Sequence, residues 1–153
     1  MKNSTACVPR LELLDRPHAL PPKARPHSRV LLAEDDADLR QLMAAALRAD
    51  GHQVIEAPDG DRLLMHIEQQ IAGTRRDNFA VVVSDVRMPG LWGTDVLAVL
   101  SCSKWTTPFV LMTAFGDAEL HAQAREMGAT AVLDKPVDLD ALRSVVWWAM
   151  DAR

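Results

Sequence analysis

The chain has 153 residues, 48% of them hydrophobic and 25% charged, which is the size and composition of one globular domain with a substantial core. A formal charge of -4 argues against direct contact with nucleic acid, which needs a basic surface, and no apolar run approaches the roughly 18 residues of a membrane helix. The first residues lack the apolar stretch of a secretory leader, and two cysteines, Cys7 and Cys102, are too few for a disulfide framework, so a cytoplasmic location is expected.

Residues 1–28 form the first unit. They carry a net charge of +3 against -7 for the remainder, and "RPHALPPKARPHS" places prolines at 17, 21, 22 and 26 without helical or alternating period. The segment reads as a flexible, Pro-rich basic arm, in which "LELL" at 11–14 is either a short docking element or part of an unstructured tail. His18 and His27 have no neighbours at metal-ligand spacing.

Residues 29–153 form the second unit, in which two kinds of segment alternate. Apolar runs of strand length occur at 30–33, 53–57, 80–84, 109–113 and 130–134. Helical spacing follows each: Leu39, Leu42, Met43 and Leu47; Leu63, Leu64, Ile67 and Ile71; Val96, Leu97 and Leu100; then 117–127 and 138–150. Five such βα units in series predict an α/β fold, doubly wound, with a parallel five-stranded sheet covered by helices on both faces. In sheets of this kind ligands bind beyond the carboxyl ends of the strands.

Polar side chains gather at that edge. The first strand ends in Glu34, Asp35 and Asp36, the third in Asp85, the fourth in Thr113, and the fifth in Lys135 and Pro136. Crowded carboxylates repel one another unless a cation holds them, and an all-oxygen donor set calls for a hard divalent ion such as Mg²⁺, with Mn²⁺ as the substitute. A carboxylate can attack phosphorus if cations neutralise the incoming charge. Asp85 is the candidate nucleophile, Lys135 the point charge against one phosphoryl oxygen, and Thr113 the hydroxyl donor to another.

"LLAEDDADLR", "SDVRMPG", "LMTAFGDAE" and "LDKP" occur in that order, and with them residues 29–151 resemble the receiver domain of two-component response regulators, of the chemotaxis-regulator-like kind. The resemblance implies a (βα)5 flavodoxin-like three-layer sandwich with strand order 2-1-3-4-5. It makes Asp35 the main carboxylate ligand of the ion, Glu34 a water-mediated one, and the backbone carbonyl of Arg87 a further ligand beside Asp85. Asp36 falls at the helix entry. Ala114, directly after Thr113, joins the phosphoryl-contacting switch, and the Lys135–Pro136 bond is implied to be cis. Val132 stands where the family usually has an aromatic residue, and Val137 where it often has Phe.

Two surface features remain. Trp147 and Trp148 are adjacent on the last helix, about 100° apart, so both cannot lie on the stripe of Leu139, Leu142, Val146 and Ala149. With Val132 they mark a partner surface, since the family uses the face of helix four, strand five and helix five for homodimers or targets; the alternative is cover by the N-terminal arm. Trp92, just after the Asp85 strand, covers its loop. His52, His66 and His121 occur in unrelated segments and receive no role.

The chain is therefore expected to be a single-domain response regulator. Asp85 would take a phosphoryl group from a sensor histidine kinase or histidine phosphotransfer protein, and the modified surface would change affinity for a downstream protein target. Two alternatives stand beside it: a phosphorylation-independent pseudo-receiver module, and the receiver fragment of a longer transcriptional regulator. The resemblance makes the chain a phosphoacceptor that assists its own phosphotransfer and dephosphorylation, not an enzyme. An aspartyl-phosphate phosphatase would want an acid two residues beyond Asp85, where Arg87 stands.

Overall fold

The computed structural model describes residues 28–74, 76–114 and 118–151. Call the strands β1 (Arg29–Ala33), β2 (Gln53–Ala57), β3 (Val81–Asp85), β4 (Phe109–Thr113) and β5 (Ala131–Asp134). The helices are α1 (Ala37–Ala49), α2 (Gly60–Ile71), α3 (Gly93–Ser101), α4 (Ala118–Glu126) and α5 (Leu139–Asp151). The strands pair in parallel in the order β2-β1-β3-β4-β5, as the resemblance implied. The arm at 1–28 lies outside the described residues apart from Ser28, which adjoins β1.

The central strands are apolar along most of their length because helices cover them on both sides, and turn polar only at their ends. Every residue of β3 and β4 is buried, whereas the edge strands β2 and β5 are only partly so. Alternate residues feed two cores. Leu31, Val82 and Leu111 pack with Leu63 and Ile67 of α2 and Val96, Leu97 and Leu100 of α3. Val30, Leu32, Val83 and Val110 pack with Met43 and Leu47 of α1 and Leu142 and Val146 of α5. Each fully buried aliphatic side chain contributes about 1.5–3 kcal/mol. A capping carboxylate is worth about 1 kcal/mol, so these rows decide where the helices lie.

Two members of the expected apolar stripes depart from them. Leu42 is 54% exposed, because it sits one residue, or about 100°, from Met43, and Ala44 takes the core position instead. Ile71 is 58% exposed: it is in line with Ile67 but is the last residue of α2 and outruns the layer that α2 covers. The strand registers also shift slightly. The third strand runs Val81–Asp85, so Asp85 is its last residue and not the first of the loop.

Candidate functional site

The carboxyl ends of β1, β3, β4 and β5 bring Glu34, Asp35, Asp85, Thr113 and Lys135 to one edge. Register accounts for this: Ala33 is level with Ser84, Asp85 with Met112, and Thr113 with Asp134. One carboxylate oxygen from each of Glu34, Asp35 and Asp85 lies within 4.8 Å of the others, a grouping that could hold a metal ion. The donors are all hard oxygen, which suits a cation of the magnesium type.

Lys135 ties the buried acids together. Its Nζ donates to Glu34 Oε2 at 2.7 Å and to Asp85 Oδ2 at 2.8 Å. Glu34 is 1% exposed and Asp85 6%. Burial pushes the Glu34 carboxyl above the usual range, and the Lys135 hydrogen bond offsets only part of that. Burial acts on the Lys135 ammonium in the opposite sense, toward the neutral form, but its hydrogen bonds to Asp85 and Glu34 and the charges of those carboxylates outweigh it and the pKa is raised. Lys135 is thus a charged bridge in the unmodified site, a contact that the sequence reading, which aimed it at a phosphoryl oxygen, did not foresee.

The acid loop after β1 is held from several sides. Glu34 N–H donates to Ala57 O at 3.1 Å, and Asp36 N–H donates to Glu34 Oε1 at 3.1 Å. Asp36 does not join the acidic cluster: its Oδ1 accepts from Leu39 N–H at 3.0 Å as the N-cap of α1. Asp35, between them, is exposed. Arg40, one turn into α1, was passed over in the sequence reading. Its Nη1 donates to the Glu34 carbonyl at 2.8 Å while Nε lies 3.4 Å from Glu56, so it braces the loop that presents Glu34 and Asp35. Its only sequence signal was an arginine at helical spacing from the acids.

The loop after β3 is equally constrained. Arg87 N–H points at Asp85 Oδ1 at 3.4 Å, and Arg87 itself is exposed. Trp92 proves to be the N-cap of α3, where Asp95 accepts from its N–H at 3.0 Å. Gly93 and Gly60 let this loop pack closely. A Cβ at Gly93 would lie 2.3 Å from the Asp85 carbonyl, and one at Gly60 would lie 1.8 Å from the Leu91 carbonyl.

Thr113 is buried at 3%, and its carbonyl accepts from Lys135 N–H at 2.7 Å. Ala114 is exposed just beyond it, and the Lys135–Pro136 bond is cis. Val132 is half-buried and packs on the α2–α3 core. Trp147 and Trp148 are both half-buried, and Trp148 packs against the α1–α5 core. His121, left without a role above, has Nε2 2.9 Å from Asp134 Oδ1 and joins α4 to the end of β5.

A doubly wound α/β domain with clustered carboxylates, a buried hydroxyl and a lysine at the carboxyl edge of its sheet defines the class. Residues 30–147 match the family model for the response regulator receiver domain. The chain belongs to that family, whose members are signalling domains and not conventional enzymes.

It is 36% identical over 126 residues to the C4-dicarboxylate transport transcriptional regulatory protein DctD of Pseudomonas aeruginosa, covering 82% of this chain and 26% of that protein. It is 36% identical over 115 residues to the transcriptional regulatory protein PdtaR of Mycobacterium tuberculosis, covering 74% of this chain and 52% of that one. The chain thus spans between a quarter and about half of these curated relatives. Among solved structures, the Francisella response regulator 1452 receiver domain aligns with a TM-score of 0.74 at 26% identity, covering 82% of this chain and 98% of that one. The chemotaxis response regulator CheY4 of Vibrio cholerae aligns with a TM-score of 0.68 at 26% identity, covering 80% and 98%.

Proposed function

We propose that this chain is a phosphorylation-controlled switch in which Asp85 accepts a phosphoryl group from a phosphohistidine on a sensor kinase or phosphotransfer protein. The observation that carries the reading is the Lys135 ammonium held between Glu34 and Asp85. An Asp85 carboxylate oxygen attacks phosphorus, the bond from phosphorus to the imidazole nitrogen breaks, and its electron pair stays on the imidazole. Lys135 exchanges a carboxylate contact for a phosphoryl oxygen, and the Thr113 hydroxyl donates to a second.

In this reading Asp35 and Asp85 would be the direct carboxylate ligands of Mg²⁺ and Glu34 a partner through water, supported by carboxylate oxygens of all three lying within 4.8 Å of one another. The Arg87 carbonyl would be the remaining protein ligand. The ion supplies charge neutralisation at the phosphoryl oxygens. Ala114, small and exposed beside Thr113, completes the phosphoryl-contacting set in this reading.

Output passes through contact with another protein, and α4, β5 and α5 form the contact surface for a target or for a second copy. The half-buried Trp147 and Trp148 on α5 support that choice, as does the α4–β5 tie between His121 and Asp134. The exposed thiol of Cys102 suits a reducing cytoplasm. A second reading, the receiver segment of a longer transcriptional regulator, draws on the lengths of the curated relatives and requires the same chemistry at Asp85.

The test is transfer from a labelled phosphohistidine protein. Label should move to this chain with Mg²⁺, fail to move with a chelator, and be absent in Asp85→Asn. Label that persists in Asp85→Asn places the acceptor elsewhere.

A further inference from the structure

At the amino edge of the sheet, opposite the acidic cluster, a hollow of about 770 Å³ is lined by Leu97, Leu100, Trp105, Phe109, Met127 and Ala149. It lies where α3 and α4 end and β4 begins. Trp105 also lines a second hollow of about 280 Å³ that reaches Ile71, the 58% exposed end of α2. The two make one partly apolar surface around the indole, whose Nε1 is buried and has no hydrogen-bond partner. A buried donor without an acceptor is destabilising, and an apolar patch of this kind marks a contact site.

The chain itself carries an occupant. Residues 1–28 hold a net charge of +3 against -7 for the remainder, and "LELL" at 11–14 places three leucines in four residues. Ser28 enters β1 at the same edge and shares a small gap with Trp147, Met150 and Asp151 of the last turn of α5, the turn whose Ala149 lines the larger hollow. Leu14 is 14 residues from Ser28, a reach of up to about 46 Å at roughly 3.3 Å per residue. β1 and β4 are only two strand spacings apart, about 10 Å, so the tether is long enough. Tethering holds the leucines near the hollow at roughly millimolar effective concentration, which favours them over a separate protein.

We propose that Leu11, Leu13 and Leu14 of the chain's own N-terminal segment dock on the surface around Trp105. Backbone carbonyls of the segment supply the acceptor that the indole N–H lacks, and the leucines cover Met127 and Ile71. Glu126, which also lines the larger hollow, meets the basic side chains of Arg10 and Arg16 that flank the leucines. The docked segment shields an apolar face that is otherwise open to association with other chains. The contact lies at the edge of the sheet away from Asp85 and does not depend on the reading of Asp85 as phosphoacceptor.

The experiment uses the full chain, isotope-labelled so that amide and indole N–H resonances are observed, with Cys7→Ser and Cys102→Ser and a nitroxide on Glu12→Cys among the leucines. Docking predicts broadening of the Trp105 indole N–H and of the Thr106 and Gly128 amides. That broadening should be lost with Leu11→Ser, Leu13→Ser and Leu14→Ser together, and with Thr106→Arg, which fills the hollow from an exposed position. None of these changes touches the packed rows, and unchanged resonances elsewhere verify the fold. Nitroxide-bearing chain without isotope, mixed with isotope-labelled chain without nitroxide, should give no broadening. Equal broadening in that mixture assigns the segment to a second copy and overturns the inference. Broadening confined to Trp147 and Trp148, broadening that survives the three serines, or none at Trp105 overturns it as well. The phosphoacceptor reading stands apart from each of these results.

Discussion

Glu34 and Asp36 stand two residues apart in one acidic stretch, yet one is sealed against an ammonium and the other caps a helix. Their separation shows why a carboxylate's role depends on what arrives from the neighbouring strand. Removing Lys135 leaves a buried Glu34 without its cation, so Lys135→Ala should lower stability by about 1–3 kcal/mol in thermal or denaturant unfolding. Adding Glu34→Gln to that variant should recover part of the loss, because a neutral amide needs no cation.

His52 provides a second test at this scale. It is 6% exposed, its Nδ1 has no partner, and burial lowers its pKa from 6.5 although Asp50 acts to raise it. Above that value the folded and unfolded chains both hold a neutral imidazole and nothing is lost. As pH falls through 6.5 the unfolded chain takes a proton that the folded chain resists, so stability falls until the lower folded pKa is reached. Melting temperatures between about pH 7 and about pH 5 should therefore decline less steeply in His52→Gln than in wild type; parallel declines would remove His52 from the account.

Among the elements, the loop between β3 and α3 is where backbone packing controls chemistry. It leaves from Asp85, carries Arg87, and returns at Gly93, whose missing Cβ allows the Asp85 carbonyl to approach. Gly93→Ala should cost about 1–3 kcal/mol and slow phosphotransfer at Asp85, as measured by unfolding and by initial labelling rate. A variant with wild-type stability and rate would show that the loop can yield. This packing was not legible in advance, because glycine leaves no hydropathy signal and a close approach is a property of two segments at once. The strands themselves were legible, since a strand buried on both faces is apolar along most of its length, as β3 is over 81–83 and β4 over 109–112. Leu42 was misplaced because Ala44, a weaker hydropathy signal, takes the core position beside Met43, and Ile71 because helical spacing does not show where the covering layer stops.

At the scale of the whole molecule, alternation of apolar runs and helical stripes was enough for a parallel sheet with acidic groups gathered at its carboxyl edge. It was not enough for the order β2-β1-β3-β4-β5, which came with the resemblance, because right-handed crossovers permit other orders. Nor could it show that Arg143 of α5 would pair with Asp50 at the end of α1, at 2.5 Å and 2.7 Å, 93 residues away in sequence. That pair is partly exposed, so Arg143→Ala should cost about 1 kcal/mol or less and leave labelling at Asp85 unchanged.

The central claim is that the edge built by four strands makes Asp85 a phosphoacceptor, and intact mass after incubation with Mg²⁺ and a small-molecule phosphodonor addresses it most directly. The account predicts one phosphoryl increment in wild type and none in Asp85→Asn. No increment in wild type with any donor, a phosphohistidine protein included, or an equal increment in Asp85→Asn, would contradict it.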